Sequence, residues 1–388
     1  MKVPKHVLPI IVFAQFCCTS LWFAGNAVLP QLIDKYHWAA SSLGNLTSAV
    51  QFGFILGTLV FAILSLADRF SPSKLFFISA IFGALFNVLG LLVASNFIAL
   101  LSFRFLVGFS LAGIYPVGMK IAADYYQKGL GKSLGYLVGA LVIGTALPHL
   151  IKSVLGSELP WTWVFILTSA IAFLGGLLIV LFVGDGPHHQ QMKGFDIKSI
   201  SRIFKNKDLK SAAFGYFGHQ WELYTFWAFV PLLITYHAQL HNTSVLNTSF
   251  YAFIIIGIGG LACVLAGYTS NYFGTKNTAG LALFLSGLCC LLSPLFLLWS
   301  SFPVFIAFLI FWGFNVVADS PLYSTLVAQN AEPSSKGTSL TLVNSIGFAI
   351  TIVSIQLLSL LQTVIPPAFL FMILALGPAF GLRALYRK

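Results

Sequence analysis

Twelve apolar runs recur along this chain of 388 residues, each about long enough to carry a helix across the roughly 30 Å of a bilayer's hydrocarbon. They are predicted at 8–29, 43–66, 75–95, 97–123, 131–153, 161–183, 212–236, 247–270, 277–299, 302–328, 337–361 and 366–384. A backbone inside lipid finds no water, so each run must satisfy its own amides and carbonyls as a helix. The fold class that follows is an all-α membrane protein with twelve transmembrane helices. Only 8% of the residues are charged, against about 25% in soluble domains. That deficit excludes a soluble enzyme, a disordered chain and a nucleic-acid-binding protein. Lys2 and Lys5 precede the first run as they would in a signal peptide, but the run is too long and ends without a small-residue cleavage site. It is predicted to remain as helix 1.

The net charge of +11 is a statement about orientation. With both termini in the cytoplasm, the inward cations are Lys2, Lys5, Arg69, Lys74, Lys128, Lys132, Lys193, Lys198, Arg202, Lys205, Lys207, Lys210, Lys276, Lys336, Arg383, Arg387 and Lys388. Only Lys35 and Lys152 face outward. Seventeen against two is the bias of a cytoplasmic face, and an odd number of spans would scramble it. The charge therefore addresses the bilayer, and no nucleic acid is expected as a partner. A multi-pass membrane protein with both termini in the cytoplasm is expected, as a monomer.

The longest polar stretch, 184–210, holds six of the inward cations and the adjacent His188 and His189. Two neighbouring histidines in a polar loop are read as solvated rather than as a metal site. Cys17, Cys18, Cys263, Cys289 and Cys290 all fall within spans and lack CxxC spacing, so neither a disulfide frame nor a zinc site is expected. There is no Walker-type phosphate loop and no Ser/His/Asp set. The chain is therefore expected to be neither an enzyme nor the holder of a cofactor.

A shift of 203 residues lays LADRFSPSK, with Asp68, over YTSNYFGTK, with Asn271; a shift of 205 lays Gly108 and Pro116 over Gly313 and Pro321. Such spacing predicts a duplicated unit: a six-helix bundle over 1–183, a cytoplasmic basic linker over 184–211 and a second bundle over 212–388. In transporters built from repeats, the solute site lies between the halves near the bilayer midplane and rocking exposes it to each side in turn. The loop after helix 2 presents Leu64, Asp68, Arg69, Ser71, Ser73 and Lys74, and helix 4 presents Arg104, Gly108, Ser110 and Pro116. Helix 5 carries Gly135, Gly139, Gly144 and Pro148. In these motifs, in their order and in the twelve spans, the chain resembles the major facilitator superfamily. The loop departs from the family's G-x-x-x-D-R-x-G-x-R/K-R/K at both glycines. Segments GHQWELYTFWAFVP and WGFNVVADSPLYS are similar to a bacterial branch loosely labelled nitrate/cyanate or sugar-phosphate permease. The nitrate label does not carry over, because those carriers place an Arg in helices 2 and 8 and neither span here has one.

A formal charge at a helix centre costs roughly 2.5 to 3.5 kcal/mol on insertion scales, so those retained within the spans are the candidate site. Four stand out. Arg104 in helix 4 has a planar fork that suits a carboxylate or phosphate, and in the resembled family this Arg is associated with proton coupling or substrate binding. Its other reading is an architectural Arg bonded to backbone carbonyls. Glu222 lies at mid-helix 7 with His219 one turn earlier, a pair suited to taking up and releasing a proton; its other reading is a hydrogen bond that captures helices inside the bundle. Asp319 in helix 10 adjoins Ser320 and Pro321, where a broken helix can expose backbone groups, and a cation of the other half is a possible partner. Lys120, near the inner end of helix 4, is either a solute contact or an i,i+4 partner of Asp124. A second tier of polar or aromatic candidates for solute binding is Gln15, Asn26, Tyr115, His149, Trp221, Tyr224, Asn315 and Asn344. Spans 3 and 9 carry no charge, as peripheral lipid-facing helices should. The resemblance implies a latch at Asp68 and Arg69 that holds the halves outward-facing. Asn271 and Tyr272 have lost that charge in the second copy.

The function expected is secondary active transport of a small polar solute coupled to protons by alternating access. The anion preference rests on Arg104, Lys120 and His149. Two rivals are a proton-driven exporter of amphipathic drugs and a membrane receptor or scaffold that does not transport.

Overall fold

The computed structural model describes residues 3–39, 41–126, 130–156, 159–188, 205–245, 247–332 and 336–387. Lys2, Lys128, Lys193, Lys198, Arg202, Lys388, His189 and most of the stretch 184–211 lie outside those residues. The described chain is helical throughout, with no strand. It divides into two compact units, residues 1–39 with 45–197 and residues 40–44 with 198–388.

In the first unit, helix 1 comes in three pieces, Val7–Thr19, Ala24–Ala27 and Leu29–Tyr36. It is followed by helix 2 (Ser42–Ile63), helix 3 (Pro72–Val93) and helix 4 (Phe97–Leu111, then Tyr115–Tyr125). Helix 5 (Leu130–Leu155) and helix 6 (Thr162–Phe182) complete it. The second unit has helix 7 (Lys207–Leu240), helix 8 (Thr248–Phe273), helix 9 (Thr275–Trp299) and helix 10 (Phe302–Ala318, then Ser320–Asn330). It ends with helix 11 (Lys336–Leu361) and helix 12 (Pro367–Tyr386). Ten of these are long and apolar enough to cross a membrane, and Val7–Thr19 is a shorter apolar helix.

Side-chain caps set several helix starts. Asn96, Asn206 and Asn247 each accept from amides of the first turn, and Pro72, Pro303, Pro321 and Pro367 occupy first-turn positions where the missing N–H is harmless. The Asn206 cap explains the largest extension. Helix 7 begins at Lys207, ahead of its apolar run, because a capped polar turn continues it beyond the hydrocarbon. Helix 1 differs more. Leu21 and Trp22 donate three residues back, to Cys18 and Thr19, so the α-helical ladder stops over Ser20–Phe23.

The repeat seen in sequence has a packing reason. Gly108 of helix 4 lies on the Val50 carbonyl of helix 2, and Gly313 of helix 10 lies on the Ile255 carbonyl of helix 8. A Cβ at either position would strike that carbonyl, so glycine lets the two backbones touch in each unit. Phe52, Leu92, Ile98 and Leu181 in the first unit and Trp299, Phe311 and Leu360 in the second are exposed, as side chains that meet acyl chains should be.

Candidate functional site

The interruption of helix 1 positions Arg104. Three-residue turns leave backbone carbonyls without their usual donors, and Arg104 Nη2 donates to Leu21 O at 2.8 Å and Trp22 O at 2.6 Å. Nη1 donates to Asn87 Oδ1 of helix 3 at 2.8 Å. Asn87 in turn donates to Phe165 O, Thr168 Oγ1 and Ser169 Oγ of helix 6 at 3.0–3.1 Å. Arg104 is 1% exposed and joins helices 1, 3 and 4, with only its Nε left without a partner.

Glu222, also 1% exposed, is the hub of the second unit. Its Oε1 accepts from Trp312 Nε1 of helix 10 at 2.6 Å and Cys290 Sγ of helix 9 at 3.3 Å, and its Oε2 accepts from Ser286 Oγ at 2.9 Å. This corrects the expected pairing with His219. The two side chains stand three residues apart on helix 7 but turn to different neighbours. His219 Nδ1 instead lies 2.7 Å from Asp319 Oδ1. His219 Nε2 and Asp319 Oδ2 have no partner among the described residues. Asp319 thus meets a histidine of its own unit. Helix 10 stops at Ala318 and restarts at Ser320, which turns Asp319 toward helix 7. The rings of Tyr216 and Tyr323 flank His219 at 5.8 and 6.1 Å, and Gln220 donates to the Tyr216 hydroxyl at 2.5 Å.

Lys120 lies 2.9 Å from Asp68 and 3.8 Å from Asp124, so its nearer partner is the loop acid rather than the one on its own helix. Helix 3 starts just after this loop, and its N-terminus is a place that suits a carboxylate such as Asp68. Asp185 fills that place instead, its Oδ1 accepting from Ser73 N at 3.0 Å, Ser73 Oγ at 2.9 Å and Ser71 Oγ at 2.9 Å at the start of helix 3. Ser71 stands where the family motif has its second glycine, and its hydroxyl makes a contact that a glycine lacks. Arg69 is exposed.

Gln15, Asn26, Tyr115 and His149 are buried in the first unit, and Tyr224 and Asn315 in the second. Trp221, half-buried, donates to Ile373 O at 3.2 Å, while Asn315 donates to Phe311 O at 2.9 Å within its own helix. Asn344 is half-buried. Sequence reasoning missed Gln51, Thr145, Gln220 and Tyr323, all buried with polar atoms lacking partners among the described residues, and it missed the roles of Asn87, Ser286, Cys290 and Trp312. Gln51, Asn87 and Gln220 offered a signal, a carboxamide within a span. The others look like ordinary members of an apolar run. Helices 3 and 9, whose predicted spans carry no charge and read as peripheral, supply Asn87 to Arg104 and Ser286 and Cys290 to Glu222.

A family model described as Major Facilitator Superfamily matches residues 11–355. A similar relative is the "Probable galactarate/D-glucarate transporter GarP" of Escherichia coli, 24% identical over 305 residues, which is 70% of this chain and 68% of that protein. The "Quinolone resistance protein NorB" of Staphylococcus aureus is 30% identical over 204 residues, covering 50% of this chain and 40% of that one. Among solved structures, the human organic anion transporter MFSD10 (TETRAN) superposes with a TM-score of 0.75 at 15% identity, over 99% of this chain and 100% of that one, a likeness of fold.

Proposed function

The chain belongs to the Major Facilitator Superfamily, a family of multi-pass membrane transporters, and from that premise we propose that it moves a small organic anion together with or against protons, with His219 and Asp319 carrying the proton. The observation behind the coupling is the 2.7 Å His219–Asp319 contact, buried on two helices of one unit with a nitrogen and an oxygen left over. An acid beside an imidazole holds one more or one fewer proton for a small change in surroundings, which a carrier needs. Glu222 sits close by, but its oxygens are taken up by three donors, and its part is to hold helices 7, 9 and 10. One charge falling through about 100 mV supplies about 2.3 kcal/mol, enough for roughly fiftyfold accumulation.

The anion class is supported by the solutes in the printed name of the Escherichia coli relative. The first unit's two interior cations support it less, since both are engaged with protein groups. Both termini lie in the cytoplasm of a bacterial inner membrane, residues 184–211 link the bundles, and Asp68 with Arg69 acts as a latch. Uptake into proteoliposomes under an imposed pH gradient tests the reading, with a solute chosen by a thermal-shift screen of carboxylates and phosphates. Accumulation should follow the gradient and disappear in Asp319→Asn. Equal uptake with and without the gradient would remove the coupling.

A second reading, proton-driven export of amphipathic compounds, is favoured by the similarity to the quinolone resistance protein. A deletion strain with unchanged drug resistance argues against it.

A further inference from the structure

Buried polar atoms without partners mark places where a protein keeps hydrogen bonds for something else, because leaving them unmet lowers stability. In the first unit they gather around helix 1. Four contacts fix what that helix faces. The Gln15 carboxamide lies over Gly118 of helix 4, and Thr19 lies over Gly144 of helix 5. The Trp22 ring is 4.9 Å from Phe54 of helix 2, and Asn26 Nδ2 donates to Thr47 Oγ1 of helix 2 at 2.7 Å. Gln51 sits about one turn from both Thr47 and Phe54, so it shares the face of helix 2 that meets helix 1. On helix 5, Thr145 follows Gly144, and His149 lies one turn beyond. Both polar atoms of Gln15, both of Gln51, Asn26 Oδ1, Thr145 Oγ1 and His149 Nε2 are buried with no partner among the described residues. The cations of this unit's interior are spoken for, Arg104 by two carbonyls and Asn87, and Lys120 by Asp68.

Helices 2 and 5 thus both touch helix 1. From these unpartnered carboxamides on helices 1 and 2 and the unpartnered hydroxyl and imidazole on helix 5, we infer that the first unit carries a recognition patch for hydroxyl groups and that the solute is a polyhydroxylated compound. A carboxamide donates through its NH2 and accepts through its oxygen, which complements two neighbouring hydroxyls. It does so without the desolvation that a buried ion would require. The inference rests on the transporter reading and supplies its solute class, an organic anion whose carbon chain bears hydroxyls.

The test uses the full chain in detergent and three six-carbon probes: D-gluconate with a carboxylate and hydroxyls, hexanoate with the carboxylate alone, and D-glucitol with hydroxyls alone. Gluconate and glucitol should each raise Tm, and hexanoate should not. Gln51→Leu should raise the gluconate concentration for half-maximal shift roughly tenfold, while raising the Tm of the solute-free protein because an unmet carboxamide has gone. A hexanoate shift as large as gluconate's overturns the inference, as does no shift with either hydroxylated probe. So does a Gln51→Leu variant that lowers Tm and binds gluconate as before. If that variant does not fold, Gln15→Leu gives the same two readouts. Loss of pH-driven uptake with the probe pattern intact would sink the His219–Asp319 coupling and leave the patch standing, and the converse would sink only the patch.

Discussion

Each unit buries one charged side chain at the meeting point of its first, third and fourth helices, yet the two do it with opposite charge. In the first, a guanidinium from helix 4 reaches helices 1 and 3; in the second, a carboxylate from helix 7 reaches helices 9 and 10. The duplicated fold thus keeps a polar junction while its chemistry has diverged. What each unit leaves unbonded differs as well. The first has mainly uncharged groups, the carboxamides of Gln15 and Gln51 and the hydroxyl of Thr145, with the imidazole of His149 beside them. The second adds to the uncharged Gln220 and Ser359 a titratable set, His219, Asp319 and Tyr323. On the function proposed above, the junction charges hold each bundle together and the leftover groups serve transport, with solute recognition in one unit and proton carriage in the other.

The comparison breaks first at Arg104. Arg104→Leu strands Asn87 Oδ1 and two carbonyls in the interior, and removal of one partner from a buried ionic network costs about 3–5 kcal/mol. A much lower denaturation midpoint in detergent is expected. A variant as stable as wild type that no longer binds solute would return Arg104 to the solute site. Asp319→Asn comes next. It should lose up to about 2.3 kcal/mol of driving force, roughly fiftyfold in accumulation, while solute counterflow continues. Glu222→Gln keeps an accepting oxygen but turns an NH2 toward donors, so it should cost about 1–3 kcal/mol of stability and leave gradient-driven accumulation in place. Full loss of accumulation at wild-type stability would make Glu222 the carrier. The smallest effect is expected at Asp68→Asn. The Lys120–Asp68 pair is partly exposed, and such a pair contributes about 0–1 kcal/mol. Its stability should barely move, and an unchanged transport rate would end the latch proposal.

The helices were legible in the sequence because hydropathy alone decides whether a stretch can cross lipid, and most observed ends fall within three residues of the predicted ones. The break in helix 1 was not. Ser20, Leu21, Trp22 and Phe23 are almost as apolar as their flanks, and neither Gly nor Pro marks the stop. The break in helix 10 was readable because Asp319, Ser320 and Pro321 announce it. Arg104, Glu222 and Asp319 were singled out by the cost of charge in oil, a property of single residues. Their partners were hidden, since a contact such as Lys120 to Asp68 or Asp185 to Ser73 depends on which helices become neighbours. Spacing along helix 7 suggested Glu222 with His219. The side chains chose other helices, because Trp312, Ser286 and Cys290 offer Glu222 donors and Asp319 of helix 10 comes within 2.7 Å of His219.

The division of labour is tested most directly by a crossed measurement in proteoliposomes, in which Gln51→Leu and Asp319→Asn are compared with wild type for solute dependence and for pH-gradient dependence of gluconate uptake. The account predicts that Gln51→Leu shifts only the solute concentration for half-maximal uptake and that Asp319→Asn removes only the response to the gradient. Gradient response lost in Gln51→Leu, or solute affinity lost in Asp319→Asn with the gradient response intact, would contradict it.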